Sequence, residues 1–106
     1  MMKPPKFLMN AELSVKPLLG EGPYGPEYDD PVKVDAYVEP KRRKVTDDEG
    51  NEIIAEVFAV IRDEIEIPVE SKANWPWSGR DTDYKIVKAI PYRPMGKYSH
   101  TEVYMK

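Results

Sequence analysis

The chain has 106 residues, no cysteine and a formal charge of −3. That length supports one domain with a single modest core, and without cysteine there is no disulfide framework, thiolate nucleophile or Cys-based metal site. The acidic balance argues against a dedicated nucleic-acid binder, which needs a positive surface, and no apolar run approaches the roughly 20 residues that span a membrane as a helix.

The opening MMKPPKFLMN is too short in its apolar part for a signal peptide, so a cytosolic protein of the producing cell is the expectation. Lys3-Pro4-Pro5-Lys6 reads as an extended arm within residues 1–10. Phe7, Leu8 and Met9 beside it are apolar, and either fold back on the core or dock on a neighbouring subunit. Ala11, Leu13 and Val15 alternate with Glu12, Ser14 and Lys16, a first strand that ends at Pro17 or shortly after. Gly20 to Pro31 holds three glycines and three prolines in twelve residues and reads as a loop. Its Gly-x-Gly is not a phosphate loop: no Lys-Ser/Thr follows, no helix follows, and Pro23 and Pro26 interrupt it.

Val32, Val34, Ala36 and Val38 alternate with Lys33, Asp35, Tyr37 and Glu39, the period of a strand with one buried face. Pro40 ends regular pairing, because it cannot donate to a ladder. Lys41, Arg42, Arg43 and Lys44 put charge on both faces of an extended chain, so this run cannot line a barrel wall and should stand out in water. Asp47-Asp48-Glu49-Gly50-Asn51 is turn chemistry, with Gly50 suited to the left-handed position of a type I turn and G1 bulge. In such a hairpin Arg42 falls near Glu56, and the basic run is answered by Asp47, Asp48 and Glu49, the pattern of a solvated ribbon rather than a DNA contact.

Ile53 to Ile61 is apolar except for Glu56 and rich in β-branched residues, as in a strand covered on both faces. A helix is the competing reading, since Ile54, Val57, Phe58, Ile61 and Ile65 form an i, i+3, i+4, i+7 stripe that Asp47 or Asp48 could cap. Ile65, Ile67 and Val69 alternate with Glu64, Glu66 and Pro68, which favours strand continuing after a break at Arg62-Asp63. Asn74 to Gly79 is a second turn, in which Trp75 and Trp77 either plug the end of a barrel or form a recognition surface. Tyr84 to Ile90 alternates as another strand. Tyr92 to Lys97 is a turn, and Ser99 to Met105 is a final strand with Thr101, Val103 and Met105 on one face. Six or so short strands punctuated by eleven prolines give an all-β pattern, satisfied by a sandwich or a small closed antiparallel barrel.

No constellation for chemistry is visible. His100 is the single histidine, a poor metal site without cysteine, and the adjacent Ser99 is expected to point to the opposite face. The carboxylates fall in turns or on polar strand faces, and Asp81 and Asp83 lack the surroundings of a Ca²⁺ loop. The expectation is therefore no enzyme, no cofactor and no metal.

Ala-Tyr-Val-Glu-Pro-Lys-Arg-Arg-Lys-Val at 36–45, the Asp-Glu-Gly-Asn turn at 48–51, Glu-Val-Phe-Ala-Val at 56–60, Ser78-Gly79, Tyr84-Lys85-Ile86-Val87 and Glu102-Val103-Tyr104 form a recognisable series. It resembles the small head–tail connector proteins of long-tailed phages and prophages, known as minor capsid, head-completion or head-closure ("stopper") proteins. Pro-Pro-Lys-Phe-Leu-Met-Asn at 4–10 is also similar to the start of minor capsid proteins of this kind. The loop here departs from the family in being a compact turn without added helix. The resemblance implies a single small β-barrel of about six strands, residues 1–106, with a projecting charged hairpin and an N-terminal arm. It implies a place at the virion neck, after assembly from the cytoplasm of a bacterial host, with portal or adaptor ring proteins, a tail-joining protein and copies of itself as partners. Packaged DNA would pass through without tight binding, and no membrane is involved. Lys41, Arg42, Arg43, Lys44, Asp47, Asp48, Glu49 and Gly50 would face the channel or the adjoining ring, and Phe7, Leu8 and Met9 would dock on a neighbour. The alternative from another class is a small SH3- or OB-like module whose Arg42, Arg43, Trp75 and Trp77 engage nucleic acid or peptide.

Overall fold

The structure is a computed structural model and describes residues 8–47 and 49–106. Its strands in chain order are β1 (Ala11–Lys16), β2 (Leu18–Gly22), β3 (Gly25–Tyr28), β4 (Val32–Glu39), β5 (Arg43–Thr46), β6 (Glu52–Ala55), β7 (Val57–Ile61), β8 (Lys72–Asn74), β9 (Tyr84–Tyr92) and β10 (His100–Met105). Six of them close an antiparallel barrel in the order β1-β4-β7-β10-β9-β8, with β8 pairing back on β1. The other four form two separate two-stranded hairpins, β2–β3 and β5–β6. Closure covers most of the free edge that an open sheet of this size would expose.

The alternation in the sequence is the cause of the barrel. Leu13 and Val15 of β1, Val34, Ala36 and Val38 of β4, and Val57, Ala59 and Ile61 of β7 all point inward and are buried. Small Ala36, Ala59 and Ala73 share the interior with Leu13, Ile86 and Met105, so small and large residues together fill the narrow lumen. Trp75, 4% exposed, adds the largest side chain of this cluster, and its ring stacks on Tyr84 at 5.0 Å between centroids.

Residues 53–61 are strand, not helix, but the strand is broken at Glu56. Its N–H leaves the hairpin to donate to the carbonyl of Met105 at 2.8 Å. Only β7 lies in the barrel; Ile54 of β6 is 48% exposed, so the expectation of cover on both faces fails there. Two further expectations are corrected. Gly20 to Pro31 is not a plain loop: β2 and β3 pair there, with Glu21 opposite Pro26 and Gly22 opposite Gly25. Proline is tolerated because a two-stranded ribbon leaves each strand an outer edge that needs no donor.

Ile65, Ile67 and Val69 do not continue a strand. Ile65 and Ile67 pack against the core without ladder pairing. The phenol of Tyr98 lies 3.1 Å from the Ile61 carbonyl and 2.9 Å from that of Asp63, occupying acceptors where β7 ends. The short, polar β8 supplies the missing sixth strand.

Candidate functional site

The β5–β6 hairpin pairs Arg43 with Ala55 and Thr46 with Glu52; Arg42 precedes the paired segment, and the Glu56 carboxylate faces Arg80 at 4.0 Å. Its turn is organised by Asp47. The Asp47 carboxylate accepts from the N–H of Glu49 at 3.0 Å and of Asn51 at 2.8 Å, and its own N–H donates to the Asn51 carbonyl at 2.9 Å. Gly50 takes φ +86°, the left-handed conformation that a side chain would strain. Asp48 lies outside the described residues.

The basic run divides in two. Lys41, Arg42 and Lys44 are exposed, and Lys44 pairs with Glu52 across the ribbon at 3.1 Å. Arg43 does not stand out in water as the sequence suggested. Its guanidinium lies 4.5 Å over the Phe58 ring and 3.6 Å from Glu39, because its register opposite Ala55 turns it towards the barrel wall. Nor does the ribbon stand free along its length. Lys88 donates to the Thr46 carbonyl, and a cleft of about 450 Å³ separates Asp47, Glu49 and Ile53 of the hairpin from Val69, Glu70, Lys85 and Val87 of the barrel.

Trp75 and Trp77 have separate surroundings. Trp75 is inside the barrel end, whereas Trp77 is 48% exposed, meets Trp75 edge-on at 5.7 Å, and donates its indole N–H to the Asn10 carbonyl at 3.1 Å. Asn10 in turn fastens the arm to β4. Its side chain accepts from the Val38 N–H at 2.8 Å and donates to the Val38 carbonyl at 3.0 Å, standing in for a peptide group just before β1 begins. Leu8 and Met9, with Tyr37 and Val60 of the barrel's outer face, line an apolar cleft of about 330 Å³. Phe7 lies outside the described residues. The hydroxyl of Tyr37 donates to Glu39 at 3.0 Å, and this bond, with the nearby carboxylate charge, raises the phenol above its ordinary pKa.

Ser99 and His100 do not diverge as expected. Ser99 precedes β10, outside the strict alternation of the pleat, and its hydroxyl lies 2.9 Å from His100 Nδ1. Glu102 is 3.7 Å from Nε2. This Ser-His-Glu line does not make a nucleophile, because Ser99 is fully buried and no substrate can reach its hydroxyl. The imidazole is stacked on Tyr92 at 4.8 Å. No group of three or more metal-ligating side chains is found among the described residues.

Two features escaped the sequence. The first is a rung of four lysines on the barrel's outside: Lys16 opposite Lys72, Lys72 opposite Lys85, and Lys85 exchanging backbone hydrogen bonds with Lys106 at 3.0 and 2.9 Å. Lys16 pairs with Asp83 at 2.8 Å, Lys85 with Glu70 at 3.7 Å, and Lys72 lies 4.9 Å over the Tyr28 ring. Alternation marks Lys16 and Lys85 as outward positions, but only the register brings Lys72 and Lys106 beside them. The second is the β2–β3 hairpin, with Tyr24 fully exposed at its tip and Leu19 64% exposed. Glycine and proline content hid it as a strand pair, although the lone aromatic in Gly-Pro-Tyr-Gly was a visible signal. Scanned against models of known protein families the sequence matches none, and no curated protein matches it.

Proposed function

We propose that this chain is a structural connector of a tailed-phage or prophage particle, joining the portal or adaptor ring to the tail and helping to close the DNA channel. The observation that carries this reading is the β5–β6 hairpin. It lies outside a closed barrel at the place where the connector pattern has its charged projecting loop. The role is structural and uses no catalysis or cofactor. Its partners are the portal or adaptor proteins, a tail-joining protein and further copies of the chain. The net charge of −3 suits a channel through which DNA slides without sticking. The test is localisation in particles purified from the producing cell, by immunogold labelling and mass spectrometry of isolated necks. Label at the neck is the expected result; absence from filled, tailed particles overturns the reading.

A nucleic-acid-binding module is the second reading, and the lysine rung is the observation that favours it. Arg43 and Trp75, two of the side chains such a module would use, are turned to the barrel wall and its interior. Two of the four lysines already face carboxylates within 4.0 Å, which lowers the charge free to meet phosphate. A fluorescence-anisotropy titration separates the two readings. Submicromolar, salt-sensitive binding near physiological salt that is lost in Lys72→Glu supports the module.

A further inference from the structure

We infer that the barrel takes up a short extended segment of another protein along the open edge of β9, at residues 89–92, and that this segment alternates apolar with cationic side chains. The site rests on the fold and not on the connector reading, and it is tested on the purified chain.

The edge exists because β8 is far shorter than β9. β9 has nine residues, but β8 pairs with only two of them, Tyr84 and Lys85. One further rung follows, where the Ile86 carbonyl accepts from the Glu70 N–H and the Ile86 N–H donates to the Ser71 carbonyl, each at 2.8 Å. There the pairing stops. The chain enters this rung from Pro68, which has no N–H to give, through a turn in which the Ser71 N–H donates to the Pro68 carbonyl at 3.1 Å and Glu70 takes φ +74°. Residues 64–67 come in along a different path, packing Ile65 and Ile67 on the core with no ladder bond to β9.

Alternation along β10 decides which groups lie open. Lys106 exchanges bonds with Lys85, so Tyr104, Glu102 and His100 also face β9, and their register partners Lys88, Ile90 and Tyr92 face β10. Ala89 and Pro91 between them face the other way. Pro91 suits that place, because an edge position needs no donor. The Ala89 N–H, the Ala89 carbonyl and the Pro91 carbonyl have no backbone partner on that side among the described residues.

Beside them, a cleft of about 420 Å³ separates residues 64–67 from β9. Ile65, Ile67, Ala89 and Pro91 give it an apolar wall, and its charged groups are Glu64, Glu66 and Arg93. Arg93 is held by Glu64 at 2.6 Å, whereas Glu66 is exposed and pairs with no cation among the described residues. Lys88, on the outward face of β9, is turned to the Thr46 carbonyl of the β5–β6 hairpin. A strand added here sets every second side chain into the apolar cleft and the others outward, where Glu66 favours a cation. Two copies meeting edge to edge would bring their Glu66 side chains and donor-less prolines onto one seam, so the partner is a different chain.

The experiment titrates the isotope-labelled full chain with an acetylated, amidated hexapeptide of alternating lysine and valine, following amide shifts and hydrogen exchange. In the free protein the Ala89 amide should exchange far faster than that of Val103, which lies between β7 and β9. Saturating peptide should slow Ala89 about tenfold or more and shift residues 64–67 and 88–93. N-methylation at the valines or at the lysines of the peptide removes the donors of one edge, and at least one of the two should weaken binding about tenfold. Glu66→Lys, and glutamate in place of the peptide's lysines, should each weaken it several-fold. Glu66 is exposed, so the substitution leaves the barrel intact, and a melting curve verifies this. Protection of Ala89 before peptide is added, shifts that depend on protein concentration alone, or full binding by both N-methylated peptides overturns the inference. Shifts centred on the acidic β2–β3 hairpin, or no saturable binding, overturn it as well.

Discussion

Asn10→Ala isolates the contribution of a single carboxamide that replaces a missing strand. Val38 is buried, and its N–H and carbonyl on the β1 side are met by the Asn10 side chain, at 2.8 and 3.0 Å. The backbone of Asn10 still donates to Ala36 at 3.0 Å in the variant, so one rung of the arm survives. Two hydrogen bonds of about 0.5–1.5 kcal/mol each are lost, and the freed groups incur a desolvation penalty wherever water cannot replace the amide. Asn10 itself is exposed, so water reaches part of the site and the lower half applies, about 1–2 kcal/mol. For a domain of this size that is a fall in Tm of roughly 4–12 °C.

The assay is thermal unfolding followed by near-ultraviolet circular dichroism, which reports Trp77 as it loses its bond to the Asn10 carbonyl. Asn10→Asp is the informative companion. It keeps the acceptor for the Val38 N–H but sets a carboxylate oxygen against the Val38 carbonyl, so it should be no more stable than the alanine variant at neutral pH. A Tm within about 2 °C of the parent for both variants, half the smallest expected fall, would refute the view that this amide anchors the arm.

Three further outcomes are expected. Tyr98→Phe removes the hydroxyl shared by Thr101 at 2.8 Å and the Ile61 and Asp63 carbonyls, and should cost about 1–2 kcal/mol in urea unfolding at neutral pH. Burial is the first cause that raises the Tyr98 pKa above 10.0, so its contribution is full below that pH and declines as pH rises towards the higher folded value. The phenylalanine variant should show a shallower loss of stability above pH 10 than the parent. Ile86→Ala, at a position with no exposure, should cost about 2–5 kcal/mol and lower the denaturant midpoint with little change in slope. Replacing Lys41 to Glu52 by a tight turn removes the Arg43 contact with Phe58 and should cost only about 1–2 kcal/mol, while particles carrying it should leak DNA or fail to join tails. Full particles with normal tails would deny the hairpin a gating or docking role.

What could be read from the sequence was whatever buries one face of a paired strand. Val34, Ala36 and Val38, or Thr101, Val103 and Met105, alternate because the barrel interior selects them, and the barrel follows from four such segments. Where that selection is absent, the reading failed. Both faces of β2 and β3 lie largely towards water, so nothing alternates and a backbone ladder passes for a loop. Ile65 and Ile67 misled in the opposite sense: they alternate and pack on the core, but the backbone between them makes no ladder. The lysine rung and the contact of Ser99 with His100 depend on register and on where a strand begins, which residue types do not specify.

The closed barrel also decides which parts of the molecule remain for partners. Its six strands pair around the circuit, which leaves only short stretches of edge for a partner to extend by its backbone. Recognition must then use one of these stretches or what is attached outside: the acidic β2–β3 hairpin with Tyr24, the charged β5–β6 hairpin with its ordered Asp47 turn, and the arm fixed by Asn10 and Trp77. Each hairpin is rooted on the barrel and has an exposed tip. The two hairpins are rooted differently, β5–β6 running directly into barrel strand β7 and β2–β3 held across to Ser71 and Lys72. Two hairpins with separate roots can be altered one at a time, so replacing Lys41 to Glu52 should leave the β2–β3 hairpin and its bond to Ser71 in place.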